Sequence, residues 1–568
     1  MYKAFTIKKK TGSYADTIEM FGVANLIHEI LIRTDAISDK ISIEDLGIYY
    51  EVKTKVEITE NMINSLEYFP IFKWVIREKE SSDEDYFDYP KQRELKKEKQ
   101  ESIQSINKEF SGKEKNKFKE QKLKEVHRVF EEEKKIEPEL DVYSQIITPN
   151  NIVGFRNLYK NFYLNKEHFQ TLIKYILGYY SELEINPRYN ELNSFTNKAS
   201  ALQIYNPSSG KGVNKAKASG AGTGGVKLSW VSETMKISGA LTNMLCQLVK
   251  VGNKSYDLKI IVPDFKKIQY SKQRLIVLGF KKNIKGNTPI KVDIFNLLII
   301  LKKLIENTQE YNGIRAKNIL SGLHSTYQKD LGQNKAVVNI GKLQTPDFIE
   351  FNTKDEAKDW VEVIKEQIQI ISSIEELGDS IQGLISYRTF ITSSHFESWI
   401  KFSFWFASYM MGRLSQKKYI RTFRVSTLNK FFKNMSTKDF KISEIIENEG
   451  FQKVAYAIRK STVTLQYTPK ENRKFEVRYG LAQTLQNKSK TPNDLASFVG
   501  DFIATYNAET ARKAELNKGF RKPLRENDLD SFYKLLDKYP SKTIGSLLAS
   551  YGFALEEKEI ISEKSENE

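Results

Sequence analysis

The chain of 568 residues contains one cysteine, Cys246, and five histidines. A lone thiol excludes an intramolecular disulfide framework and a thiolate-held metal cluster within the chain. The histidines, His28, His127, His168, His324 and His395, nowhere fall at metal-ligand spacing, and no HExxH motif occurs. Also missing is any run of about 18 uncharged apolar residues; the nearest, over 399–411, is interrupted by Lys401 and too short. The opening MYKAFTIKKKTGSY carries charges with no apolar core behind them, which predicts no secretory signal. The expectation is a cytoplasmic protein with no metal, no cofactor and no membrane partner.

Acid is the other shortage. Asp and Glu number 72 against 89 Lys and Arg, a net charge of +17. Such a polycation favours anionic partners, nucleic acid first among them. With 40% apolar residues and 12% aromatics the chain is globular, and its length predicts two to four domains.

Along the chain, residues 2–8 read as a strand. A helix follows, with Ile18, Phe21, Gly22, Leu26, Ile27 and Ile30 at helical spacing. Residues 46–56 alternate Tyr, Val and Ile with charge, a half-exposed strand. Over 91–135 Lys and Glu dominate, which predicts a solvated helical hairpin broken near Ser111-Gly112. Residues 142–180 are helical, with aromatics at core spacing. Strands are expected at 256–262, closed by Pro263-Asp264, and at 274–280, then a helix over 292–305. From 395 onward the pattern is almost all helix, with 399–411 as a buried central one.

The fold class predicted is α+β. A mixed α/β segment spans 1–90, a charged helical insertion 91–135, and a central mixed region 136–394 containing a Gly-rich loop at 206–225. A mostly helical C-terminal bundle spans 395–560, and 561–568 is expected as a disordered tail.

Few residues suggest catalysis. Asp257, Lys259 and Asp264 are the nearest approach to the clustered carboxylates of a two-metal nuclease, and alternating charge on a strand ordinarily marks its wet face. The loop NPSSGKGVNKAKASGAGTGG holds Gly210-Lys211, but a Walker A motif needs glycine where Tyr205 stands and Ser or Thr where Gly212 stands. Gly220, Gly222 and Gly225 match GxGxxG without the preceding strand of a dinucleotide site. What the loop does carry is Asn206, Lys211, Asn214, Lys215 and Lys217 with no acid among them. Glycine admits close backbone approach, lysine neutralises phosphate and asparagine can read a base edge.

A second basic concentration lies downstream. Residues 401–540 hold 27 Lys and Arg against 14 Asp and Glu, so +13 of the net +17 resides there. Arg421, Arg424, Arg459, Lys460, Arg478, Lys488 and Arg512 mark successive groups, read as an electrostatic track for a phosphate backbone.

Three stretches together resemble the large subunit of type I CRISPR surveillance complexes, the Cascade assemblies. They are TGSYADTIEMFGVANLI, the loop NPSSGKGVNKAKASG followed by SWVSETMKISGAL, and AYAIRKSTVTLQYT with EVRYGLAQTLQNKS and FIATYNAET. The resemblance implies a non-catalytic subunit at the base of a ribonucleoprotein complex. Its partners would be guide RNA, double-stranded target DNA with its displaced single strand, the backbone subunits and a separate nuclease-helicase. It implies motif sensing by Asn206, Lys211, Asn214, Lys215 and Lys217, and strand contacts by Arg459, Lys460 and Arg478. The alternative is a stand-alone nuclease or nucleic-acid-modifying enzyme with an unfamiliar site.

Overall fold

The computed structural model describes residues 2–36, 41–75, 86–110, 116–181, 192–207, 227–253, 255–309, 311, 313–330, 335–435 and 442–556. They form two compact units, one of Met1–Asn283 with Ile319–Leu343 and one of Ile284–Asn318 with Gln344–Glu568. The segment limits at 90, 135 and 394 drawn from composition fall inside these units. The architecture is α+β, sheet-containing in the N-terminal part and mostly helical in the C-terminal part.

The first unit opens with β1 (Tyr2–Lys8), α1 (Tyr14–Arg33), β2 (Ile41–Asp45), β3 (Tyr49–Ile58) and α2 (Glu60–Asn64). The charged hairpin α3 (Tyr89–Glu109) and α4 (Asn116–Arg128) follows, then α5 (Leu140–Ile146), α6 (Pro149–Tyr163) and α7 (Phe169–Tyr180). Next come β4 (Lys198–Ser200), β5 (Lys227–Ser229), α8 (Trp230–Asn243), β6 (Leu245–Lys250), β7 (Tyr256–Phe265), β8 (Lys267–Gln269) and α9 (Tyr270–Lys282). The chain leaves through α10 (Pro289–Glu306), β9 (Ile314–Arg315) and α11 (Ala316–Ile319), and returns with β10 (Leu320–Asp330) and β11 (Lys335–Gln344). Two four-stranded sheets result, ordered β1-β3-β2-β8 and β11-β10-β7-β6.

The centre of this unit is a helix pair. Every residue from Tyr14 to His28 of α1 is buried, and so is every residue from Trp230 to Leu241 of α8. Their backbones touch because Gly22 and Gly239 carry no Cβ. Polar groups in this dry contact are paired, as burial demands. Glu19 accepts from the Tyr180 hydroxyl and from Ser232 Oγ, both at 2.8 Å, while Asn25 Nδ2 donates to Ser238 Oγ at 3.0 Å.

Two local expectations are corrected here. Residues 274–280 belong to α9, not to a strand: Tyr270, Gln273, Ile276, Val277 and Phe280 are buried at three- and four-residue spacing, whereas Leu275 and Leu278 are exposed. Nor does Pro263 end β7, which continues to Phe265. The partner strand β6 stops at Leu245, opposite Ile261, so Pro263 lies where the strand has become an edge and no donor is missed.

In the second unit a short pair, β9 with β12 (Glu350–Phe351), accompanies helices. These are α12 (Lys354–Ser373), α13 (Ser380–Ser393), α14 (Phe396–Ser415), α15 (Val425–Asn434), α16 (Ile442–Ile446), α17 (Glu449–Ser461) and α18 (Val463–Tyr467), then α19 (Leu481–Lys488), α20 (Pro492–Glu515), α21 (Glu526–Lys538) and α22 (Ser541–Gly552). As its apolar run predicts, α14 lies at the core. Trp399 packs against Phe390, Phe402, Phe423, Phe431 and Phe432, with ring centroids 5.2–5.9 Å apart. Among the described residues no helix is long and apolar enough to cross a membrane.

Candidate nucleic-acid interface

The described residues that flank the Gly-rich stretch both meet α8: Asn206 bonds to its side chains, and β5 leads directly into its first turn. Asn206 is buried; its Nδ2 donates to the Leu202 carbonyl at 3.0 Å and to the Glu233 carboxylate at 3.0 and 3.1 Å. Its Oδ1 accepts from Lys236 Nζ at 2.8 Å, and the same ammonium pairs with Glu233 at 2.8 Å. On the returning side, Ser229 Oγ donates to Asn197 Oδ1 at 2.9 Å, and the Trp230 amide donates to the Asn197 carbonyl at 3.0 Å. Asn206, expected to sense a base motif, therefore has its amide committed to the root of the loop. The other expected residues, Lys211, Asn214, Lys215 and Lys217, lie outside the described residues.

Burial sorts the downstream basic residues. Arg459 is only 3% exposed; its Nε and Nη2 both donate to the Tyr551 carbonyl at 3.3 Å, and Nη1 pairs with Glu556. Arg424 bonds Glu366 at 2.7 Å and Glu362 at 3.3 Å, and Lys430 joins Glu362 and Asp359 from the same side. Burial raises the Glu366 carboxyl above the ordinary range against the pull of Arg424. Arg478 is half-buried, 3.7 Å from Glu509, with its guanidinium 5.2 Å from the Phe502 ring. Lys460 is half-buried beside Tyr456, 5.4 Å from the ring centre. Arg421, Lys488 and Arg512 are exposed, Lys488 within 3.7 Å of Asp494.

The track read from charge alone is thus corrected. Arg459 is enclosed within the unit and cannot meet a phosphate, while the half-buried Arg424 already has its charge matched by Glu362 and Glu366. The signal was present for Arg459: Ala455 and Thr462, one turn to either side, are apolar or small and buried, which puts the arginine on the core stripe.

Two of the successive basic groups come together, over 473–480 and 516–525. Arg521 lies between two rings, 3.7 Å from Phe475 and 4.2 Å from Tyr506, and donates to Glu509 at 2.7 Å. Two residues away, Gly519 packs on the Lys474 side chain. Lys474, Lys518 and Lys522 are exposed, as are Phe520 and Tyr479. Nothing in the composition foretold that these segments would be neighbours.

The residues that imitate a nuclease centre do not converge. Asp257 and Asp264 are seven residues apart on β7, an odd spacing that points them to opposite faces. Asp264 accepts from the Tyr50 hydroxyl at 3.1 Å and from Lys342 Nζ at 2.5 Å, with His324 Nε2 at 3.5 Å. Burial alone would raise its pKa, but His324 and Lys342 outweigh that and hold the carboxyl well below the usual range. Among the described residues no three His, Cys, Asp or Glu side chains gather to hold a metal ion.

No protein-family model and no curated protein matches the sequence.

Proposed function

We propose that this chain is a non-catalytic subunit that holds nucleic acid in an RNA-guided DNA surveillance complex, in the manner of the Cascade large subunits it resembles. In that role it senses a short flanking motif in duplex DNA, stabilises the opened strands and recruits a separate nuclease-helicase. Base pairing with the guide reads the target, and the protein reads the flank and grips backbone.

The observation that carries this reading is the regional surplus of positive charge, +13 over residues 401–540. Once Arg424 and Arg459 are removed from it, exposed Lys and Arg remain at Arg421, Lys474, Lys488, Arg512, Lys518 and Lys522. Motif sensing is assigned to Lys211, Asn214, Lys215 and Lys217, whose loop begins beside the buried Asn206–Glu233–Lys236 cluster.

Purification of the tagged full-length chain from its own cells tests the proposal. The expected result is co-purification with a short RNA of uniform length and with several other protein subunits. A chain that purifies alone and cleaves nucleic acid with divalent metal would instead establish the nuclease alternative.

A further inference from the structure

We infer that the paired segments 473–480 and 516–525 of the second unit form a stacking platform for single-stranded nucleic acid, with Phe520 as the ring on which a base lies. The inference rests on the proposed nucleic-acid role and gives it a substrate class, unpaired strand in preference to duplex.

Phe520 is 72% exposed, yet the backbone around it is held at almost every residue. Gly519 has φ 155°, a conformation L side chains rarely adopt, and a Cβ there would stand 2.8 Å from Lys474 Cδ. Arg521, 5% exposed, is fixed by Phe475, Tyr506 and Glu509. The Tyr506 hydroxyl donates to the Lys522 carbonyl at 3.2 Å, and Asn507 closes a reciprocal pair with Leu524 at 2.8 and 3.1 Å. The fold therefore anchors the residues on both sides of Phe520 and leaves the ring outside. An ordered segment that keeps a phenyl ring in water forgoes the stabilisation of burying it, which an occupant would restore.

Charge selects the occupant. Over 470–480 and 512–525 there are ten Lys and Arg against three Glu. Lys474, Arg512, Lys518 and Lys522 are exposed and form no ion pair among the described residues. A second aromatic, Tyr479, is 49% exposed on the other segment. Aromatic faces among unneutralised cations suit a chain that offers π-faces and phosphates together, and only an unpaired strand offers both. In a duplex the base faces are already stacked.

The test uses the full-length protein, a fluorescein-labelled oligothymidylate, a blunt duplex of equal length and a polyglutamate peptide. Phe520→Ala is expected to weaken oligothymidylate binding about tenfold, the scale of one base–aromatic stack. Phe520→Trp should restore it, and duplex affinity should be unchanged by either. Because Phe520→Ala removes no charge, its salt slope should equal that of the parent, whereas Lys518→Ala with Lys522→Ala should flatten the slope by roughly 0.7 per lysine. An unaltered thermal midpoint for Phe520→Ala shows that the fold is intact. Equal oligothymidylate affinity for Phe520→Ala and parent would overturn the platform, as would equal losses on strand and duplex. Phe520-dependent binding of polyglutamate without oligothymidylate binding would reassign the surface to an acidic protein. Should Phe520-dependent strand binding persist while no guide RNA co-purifies, the surveillance-complex reading fails and the platform stands.

Discussion

Gly239 of α8 lies so close to Ile18 of α1 that a Cβ added there would stand 1.7 Å from the Ile18 carbonyl oxygen, and one added at Gly22 would stand 1.9 Å from the Met235 oxygen. Both obstacles are backbone, so neither helix can yield without moving away. Gly239→Ala is expected to destabilise the first unit by about 1–3 kcal/mol or more, the range for overpacking a dense core. Thermal or urea unfolding reads the effect, and an unshifted midpoint would mean the helices do not cross this closely.

The buried Lys236–Glu233 pair makes a second prediction through its asymmetry. Removing one partner strands a charge in the interior, so Lys236→Met should cost about 3–5 kcal/mol. Adding Glu233→Gln removes the stranded charge and should recover much of that loss in denaturant titration. A double variant less stable than Lys236→Met would show that the pair's charge is not what Lys236 neutralises.

Acid should destabilise the first unit through Asp264. Its folded pKa is depressed, because His324 and Lys342 outweigh burial, so the carboxylate contributes stability that is fully present above the unfolded value of about 4. That contribution is lost as pH falls below about 4 towards the lower folded value. Asp264→Asn is expected to lower stability at neutral pH and to flatten the acid side of the stability–pH profile. A profile identical in slope to the parent's below pH 4 would contradict the assignment.

Arg459 separates fold from interface. With two donors on the Tyr551 carbonyl and a third toward Glu556, Arg459→Ala should lower the unfolding midpoint clearly, and under folding conditions leave the salt slope of nucleic-acid binding unchanged. A flattened slope in a folded variant would return Arg459 to the interface.

These cases mark how far the sequence could be read. Periodicity located α1, the α3–α4 hairpin and the aromatic α14, because each buries or solvates a face that repeats along the chain. It failed at 274–280, where Ile, Val and Leu suggest a strand by type and only the spacing of Gln273, Ile276, Val277 and Phe280 reveals α9. The interface was less legible. An arginine bonded to the Tyr551 carbonyl and an arginine in water are the same letter, and what separates them is a partner 92 residues away. Likewise Asn206 looks like one more polar loop residue until Glu233 and Lys236 come round beneath it. The meeting of Phe475 with Arg521 is set by tertiary packing and leaves no local pattern to find.

The central claim, that surplus positive charge on this chain grips polyanion strands, is tested most directly by titrating the purified full-length protein against oligothymidylate and a duplex from about 50 to 200 mM salt. The account predicts binding whose logarithm falls linearly with the logarithm of salt, by roughly 0.7–0.9 for each phosphate neutralised and for several phosphates together. Absence of binding at the lowest salt, or an affinity indifferent to salt, would contradict it.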